Sequence, residues 1–360
     1  MNILFVSTLS GRNSVGPSWS VPARIKAQEK YDNILWVNIS NAEMPHWKEI
    51  ASFHHLSEFG DLRLKNFPKP FDKPDVVVCE NFYSMEEVRL ARELRKYHIP
   101  YVVVPRGSLS FVARNNKKKW KKAIAHILWF DKYVRKASAV QFLTEVERDS
   151  SIPKDIKSFV LPNGFNTPQE YKESFSEKQI RCVFIGRIDI YQKGLDLLLN
   201  AIRLKKDILA NDNVSFSIYG PKSPDTEEMY KRIQELGLTE LVSLKGETSG
   251  DAKKKVLLTS DVFILTSRSE GHPMGLIEAL AYGLPCLVSK GSNMTKEIKD
   301  TDSGWTCLGD NEESIGEALE AMVKDKKSFL TKSLNARTLA KNYDWDVLAK
   351  KFHEKLEELI

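Results

Sequence analysis

Short, nearly continuous apolar runs recur along the chain, each separated from the next by a stretch with helical periodicity. In the first half the runs are ILFVST (3–8), ILWVNI (34–39), DVVVCE (75–80), YVVVP (101–105), AVQFLT (139–144) and SFVLP (158–162). In the second half they are CVFIG (182–186), VSFSIYG (214–220), VSLKG (242–246), DVFILTS (261–267) and PCLVS (285–289). A strand with one wet face alternates apolar and polar residues. These β-branched runs mostly do not, so they predict parallel strands covered on both faces. Between them, 86–97, 194–206, 227–236 and 312–324 carry the spacing of amphipathic helices. The alternation, repeated over two stretches, predicts an α/β protein of two doubly wound domains. LPNGFNTP (161–168) breaks any regular element through Pro162, Asn163-Gly164 and Pro168, and marks the boundary. The expected division is 1–165, 166–340 and a final segment 341–360, which reads as an amphipathic helix from Trp345 onward.

Composition adds little beyond class. The 360 residues are 42% hydrophobic and 28% charged, ordinary for a soluble globular enzyme. No run of about 18 apolar residues occurs, so no transmembrane helix is expected. The opening MNILFVSTLSG lacks a basic n-region and a small-residue cleavage site, and reads as a first buried strand. Cys79, Cys182, Cys286 and Cys307 form no C-x-x-C pair, which suits buried, reduced thiols in a cytosolic protein rather than a zinc site. Net charge is +6, with a focus at Arg114, Lys117, Lys118, Lys119, Lys121 and Lys122, interleaved or followed by Trp120, Trp129, Phe130 and Tyr133. A solvated helix face, a contact with anionic lipid headgroups and a nucleic-acid patch are the three readings open for that segment.

The candidate chemistry sits where strands give way to glycine-bearing loops. DVFILTS runs directly into SRSEGHPMG and a helix. The first amides of a helix lack internal partners and its dipole favours negative charge there, so this layout can hold a phosphate. Glu270 and Glu278 flank the turn, and two carboxylates beside a phosphate site make sense as acceptors for neutral hydroxyls, a sugar and a ribose. A second loop of the same kind follows CVFIG: Gly186-Arg187, then Lys193-Gly194 and the helix LDLLLNAI. Arg supplies a planar fork and Lys a point charge for phosphate oxygens. The loop 10–22 after the first run has Gly11 and Gly16, but neither a G-x-G-x-x-G nor a P-loop pattern, which argues against a dinucleotide dehydrogenase and a P-loop enzyme. Pro105-Arg106-Gly107-Ser108 follows the fourth run, where Arg106 is either an internal salt-bridge residue or a holder of an anionic acceptor or a donor-sugar hydroxyl.

Taken together, Gly186-Arg187…Lys193-Gly194, TSRSEGHPMGLIEALAYGLP and Gly304-Trp305 resemble the retaining glycosyltransferases of family 4, supported by PNGFN (162–166), IYGP (218–221) and PRGSL (105–109). The resemblance covers most of the chain and is densest in the second half. It implies the GT-B fold, two Rossmann-like domains facing a central cleft, with the final helix packing back on the first domain. It implies transfer of a sugar from a nucleotide diphosphate sugar, UDP favoured, to a hydroxyl of a glycan or lipid-linked glycan in cell-surface polysaccharide assembly. Arg187 and Lys193 would neutralise the diphosphate and Glu270 would hold the sugar hydroxyls. Gly16, Gly186, His272, Pro273, Met274, Gly275 and Leu276 would line the donor, through the amides of Met274 and Gly275 in particular, and Glu278 would bind the ribose. Arg106 stands where many members carry a His near the reacting sugar; it and Ser108 are assigned to acceptor or sugar. No cofactor and no metal are expected, since the crevice segments hold no Asp-x-Asp. A cytoplasmic enzyme at the inner membrane face, touching anionic lipid through 114–122 and binding no nucleic acid, completes the expectation. Two other classes stay open: a nucleotide-sugar epimerase or a phosphorylase of this architecture, and a non-catalytic nucleotide-sugar-binding subunit.

Overall fold

A computed structural model describes residues 1–12, 16–80, 82–109, 129–151 and 154–360. The basic segment 114–122 lies outside the described residues. The chain forms two compact units, Met1–Gly164 with Trp345–Ile360, and Phe165–Asp344.

The first unit is built on seven parallel strands: β1 (Asn2–Ser7), β2 (Asn33–Asn38), β3 (Phe53–His55), β4 (Val76–Cys79), β5 (Tyr101–Val103), β6 (Ala139–Phe142) and β7 (Ser158–Val160), in the order β3-β2-β1-β4-β5-β6-β7. The unbroken apolar runs are explained by two cores, one on each face. Leu4, Val6, Leu35, Val37, Val77, Cys79 and Val103 enter one cluster. Their strand neighbours Ile3, Phe5, Ile34, Trp36, Val76, Val78 and Val102 enter the other. Because successive side chains point to opposite faces, a doubly covered strand is apolar at most positions, and the buried Asn38 and Gln141 are hydrogen-bonded. The helix Trp345–Glu357 closes the second of these clusters. Its Trp345, Leu348, Ala349, Phe352 and Leu356 are buried at helical spacing, and each large one contributes about 1.5–3 kcal/mol of burial.

The second unit has six parallel strands: β8 (Ile180–Ile185), β9 (Val214–Tyr219), β10 (Val242–Gly246), β11 (Val262–Leu265), β12 (Cys286–Val288) and β13 (Gly304–Thr306), in the order β10-β9-β8-β11-β12-β13. Residues 341–344, expected with the final helix, stay with this unit. The amide of Phe165 donates to the carbonyl of Tyr343 at 2.7 Å, and both the amide and the hydroxyl of Thr167 donate to the Asp344 carboxylate. Two strands escaped the hydrophobic pattern, β3 and β13. Both are three-residue edge strands, one containing His54-His55 and one opening on a glycine, so neither produces an apolar run. Arg106 consequently follows the fifth strand in chain order, not the fourth. All four cysteines are buried and free. Among the described residues no helix is long and apolar enough to cross a membrane.

Candidate functional site

In an open parallel sheet, ligands bind beyond the carboxyl ends of the strands where the strand order reverses. In the second unit that point lies between β8 and β11. The loop after β8 carries Gly186, Arg187, Lys193 and Gly194, and the loop after β11 carries Ser267, Glu270, His272 and Pro273. The topology therefore brings the two glycine-bearing loops of the sequence side by side.

Several bonds lace them together. The amide of Arg268 donates to the carbonyl of Gln192 at 2.9 Å, and the hydroxyl of Thr266 donates to the carbonyl of Gly194 at 3.1 Å. The Arg268 guanidinium grips Asp196 through two bonds of 2.7 and 2.8 Å and reaches the Tyr191 carbonyl at 2.8 Å. Gly194 has φ of 59°, and a methyl group there would stand 2.1 Å from the carbonyl oxygen of Thr266. Only glycine permits this approach, which sets Lys193 against the end of β11.

Lys193 and Glu270, which lie 77 residues apart in the chain, meet here: Nζ stands 2.7 Å from Oε1. The Ser267 hydroxyl donates to the same oxygen. The backbone of Glu270 is pinned from the loop after β12, its amide donating to the Gly291 carbonyl at 2.9 Å and its carbonyl accepting from the Asn293 side chain. Arg187 is 61% exposed, its Nη2 held by Gln192 Oε1 at 2.5 Å and Asp189 Oδ2 at 3.2 Å. Gly186 allows the turn out of β8 to fold over the ring of Phe184, 2.9 Å from where a methyl would sit.

The helix Met274–Ala281 starts at this edge with Pro273 as its cap and no acidic residue in its first turn. Gly275 packs its backbone on the end of β8, a Cβ there lying 3.1 Å from the carbonyl of Ile185. The amide of Met274 is not available as expected, for it donates to the carbonyl of His272 at 3.0 Å. The amide of Leu276 donates to the carbonyl of Pro273 at 3.0 Å, while that of Gly275 has no partner among the described residues. Burial pushes the His272 imidazole down to about 3, so the ring is neutral, and both of its nitrogens are shielded and without a hydrogen-bond partner among the described residues. Glu278 projects from the same helix and forms an ion pair with Lys253 of the helix Gly250–Thr259. Lys253 and Ser267 were not singled out by the sequence. The first sits in an ordinary run of lysines, and the second becomes meaningful only once the chain folds.

In the first unit the strand order reverses between β1 and β4. Gly16 opens the helix Pro17–Gln28 in the loop after β1, and a Cβ built there would meet none of the described residues within 4 Å. At the end of β4 stands Glu80, fully buried, between two arginines. Arg24 Nη1 reaches Glu80 Oε1 at 2.8 Å, and Arg106 Nη2 and Nε reach Oε2 at 2.7 and 3.0 Å. Arg24 also bonds Gln141 at 2.6 Å and lies over the ring of Phe352, 4.0 Å from its centre. Arg106 takes the internal option: its remaining bonds go to Ser20 Oγ at 3.2 Å and Asn163 Oδ1 at 3.1 Å. Its fork is thereby occupied by the protein rather than offered to an anionic acceptor. The Ser108 amide closes a turn on the Pro105 carbonyl at 3.0 Å, and Tyr83 donates to the Ser108 carbonyl at 3.4 Å. Burial pushes the Glu80 carboxyl up, but Arg106 and Arg24 outweigh it and hold it below the usual carboxylate range. Among the described residues no cluster of three or more His, Cys, Asp or Glu side chains is arranged to hold a metal ion.

Comparison with known proteins fits this architecture. Residues 166–342, nearly the whole second unit, match the family model of glycosyl transferases group 1. An uncharacterized glycosyltransferase of Methanocaldococcus jannaschii is 21% identical over 358 residues, covering 98% of this chain and 94% of that protein. The crystal structure of Anabaena HepE in complex with UDP superposes with a TM-score of 0.76 at 17% identity, covering 99% of this chain and all of that one. The apo form of the lipopolysaccharide outer core galactosyltransferase WaaB gives 0.69 at 16% identity, with complete coverage of both. The chain is a glycosyltransferase of the GT-B fold.

Proposed function

We propose that the chain transfers a sugar from a nucleotide diphosphate sugar, UDP favoured, to a hydroxyl of a glycan or lipid-linked glycan, with the anomeric configuration retained. One observation carries the reading: Lys193 and Glu270 converge at the switch point of the very unit that matches the transferase family, beside a helix start with an unpartnered amide. The UDP in HepE and the galactosyltransferase activity named for WaaB support the donor class and the cell-surface setting.

As the glycosidic bond breaks, the sugar gains oxocarbenium character and negative charge builds on the leaving diphosphate. Lys193, Arg187 and the Gly275 amide supply preorganised positive charge for it, and such groups act most strongly in the transition state. Glu270 orients the sugar through its hydroxyls, and Glu278 holds the ribose. The leaving phosphate takes the proton of the incoming hydroxyl on the same face, which leaves retention without a carboxylate nucleophile. In this reading no metal or other cofactor takes part, and the enzyme works at the cytoplasmic face of a membrane whose anionic lipids meet segment 114–122.

The test is a thermal-shift screen of nucleotide sugars followed by transfer assays with the stabilising donor. A true donor stabilises the fold by RT ln(1 + [L]/Kd), about 2.7 kcal/mol at a hundredfold excess over Kd. Activity should persist in chelator, the product should keep the donor's anomeric configuration, and Arg187→Ala should lower turnover well beyond threefold. Isomerised donor in the absence of acceptor would instead establish an epimerase, and donor binding without transfer to any acceptor a non-catalytic subunit.

A further inference from the structure

The two carboxylates proposed to hold the donor are already engaged by lysines of the same unit. Glu270 is paired with Lys193 at 2.7 Å, and Glu278 is paired with Lys253. The first pair matters most, because its two members have separate tasks. Lys193 must turn to the diphosphate while Glu270 must accept from the sugar, so donor binding has to break their bond. Once Lys193 leaves, the Ser267 hydroxyl is the one side-chain partner that Glu270 keeps among the described residues. Its side chain is 8% exposed, and its backbone is tied on both sides to residues 291 and 293, so it cannot swing out to water. A shielded carboxylate stripped of its cation is costly unless new donors replace it. Neighbouring hydroxyls of a hexose are such donors; a nucleoside diphosphate without sugar has none to offer at that place. Arg187 differs, because it is exposed and, among the described residues, is held by Gln192 and Asp189 alone, so its engagement with phosphate breaks no buried pair there.

We propose that Lys193 and Glu270 form an exchangeable ion pair through which the site distinguishes a nucleoside diphosphate sugar from the nucleoside diphosphate left after transfer. With the sugar attached, its hydroxyls satisfy Glu270 and Lys193 is released to the diphosphate. After transfer the hydroxyls depart with the acceptor, Glu270 draws Lys193 back, and the grip on the diphosphate weakens. The same contact that admits the donor thus expels the product. The inference rests on the proposed function in taking Lys193 as a diphosphate ligand.

Calorimetric titration of the full chain with UDP, UDP-glucose and UDP-galactose tests it. Glu270→Gln keeps the shape and removes the charge. It should bind UDP about three- to tenfold more tightly than the wild type, bind the UDP-sugar more weakly, and show stronger inhibition by UDP. A general loss of structure moves both affinities the same way, so opposite movements isolate the exchange. In Lys193→Met the effect of Glu270→Gln on UDP should vanish. Ser267→Ala, which leaves Glu270 more dependent on Lys193, should weaken UDP binding. If Glu270→Gln binds UDP no better than the wild type, or if Ser267→Ala binds it better, the exchange is overturned. If the wild type binds neither UDP nor either UDP-sugar while its fold is intact, the UDP-based functional reading fails first, and the inference falls with it.

Discussion

Replacing Gly194 by alanine should destabilise the second unit sharply. The residue lies in the left-handed region at φ of 59°, where a Cβ costs about 1 kcal/mol. The added methyl would also stand 2.1 Å from the carbonyl oxygen of Thr266, far inside contact distance, and what it meets is backbone rather than a movable side chain. Relief requires shifting the turn, and overpacking of this kind costs about 1–3 kcal/mol. The shift also strains the bonds from the Thr266 hydroxyl to the carbonyls of Lys193 and Gly194, at 3.3 and 3.1 Å. The sum is about 2–4 kcal/mol. For a unit of this size each kcal/mol lowers the melting temperature by about 2–4 °C, so a fall of roughly 5–15 °C is expected. Differential scanning calorimetry is the suitable assay, because it resolves two transitions if the units melt separately. Gly16→Ala is the control. Gly16 meets no atom of the described residues within 4 Å of an added Cβ and has a helical φ of −49°, so the variant's melting temperature should hold or rise slightly. A shift below about 2 °C for Gly194→Ala would refute the reasoning, since the loop would then have room that its geometry denies.

Two further outcomes follow from buried carboxylates of the first unit. Glu80 is held below the usual carboxylate range, so its stabilisation is present above the unfolded pKa and is lost as pH falls through the folded one. Glu80→Gln should therefore cost about 3–5 kcal/mol at pH 7, by leaving Arg24 and Arg106 without a counter-charge, and the deficit should shrink below about pH 4 in urea denaturation; a deficit independent of pH would contradict this. Glu87 is the opposite case: burial pushes its carboxyl well up, one oxygen has no partner among the described residues, and the other accepts from Tyr133 at 3.3 Å. The unfolded state ionises first, so stability declines as pH rises above the ordinary Glu pKa, and Glu87→Gln should gain on the wild type between pH 5 and 8 in melting experiments. A constant difference over that interval would show that Glu87 is ionised in the native state.

Much of the architecture is written in local pattern, because a strand covered on both faces has to be apolar at most of its positions. The edge strands β3 and β13 break that rule: with one neighbour and three residues each, they need no apolar run. The loops around Lys193 and Glu270 are visible for a related reason, since glycines mark where backbone passes close to backbone. The pairing of Lys193 with Glu270 is a different matter. It depends on the strand order that places β8 beside β11, and no spacing in the sequence records it. Glu80 is harder still. It closes an apolar run as any solvated strand end might, and its partner Arg24 lies 56 residues away. Only the assembled sheet shows that the carboxylate is buried and doubly paired, and that Arg106 is thereby committed to the protein.

The division of the first unit between Met1–Gly164 and Trp345–Ile360 has a consequence for biosynthesis. The second unit is continuous in sequence and can complete itself as soon as Asp344 has cleared the ribosome. The first cannot, because Phe352, Leu348 and Leu356 belong to its core. At about 5–20 residues per second, the earlier strands wait roughly 10 to 40 s for the helix that covers one of their faces. Throughout that interval Phe5 and Phe159 lack the Phe352 ring they pack against, although the helix Pro17–Gln28 and Trp47 already cover part of the same cluster. The helix Trp345–Glu357, made only after the whole second unit, completes that cluster, so chaperone demand and aggregation during synthesis should respond to substitutions at Phe352 and Leu356 more than to changes in the β-strands made first.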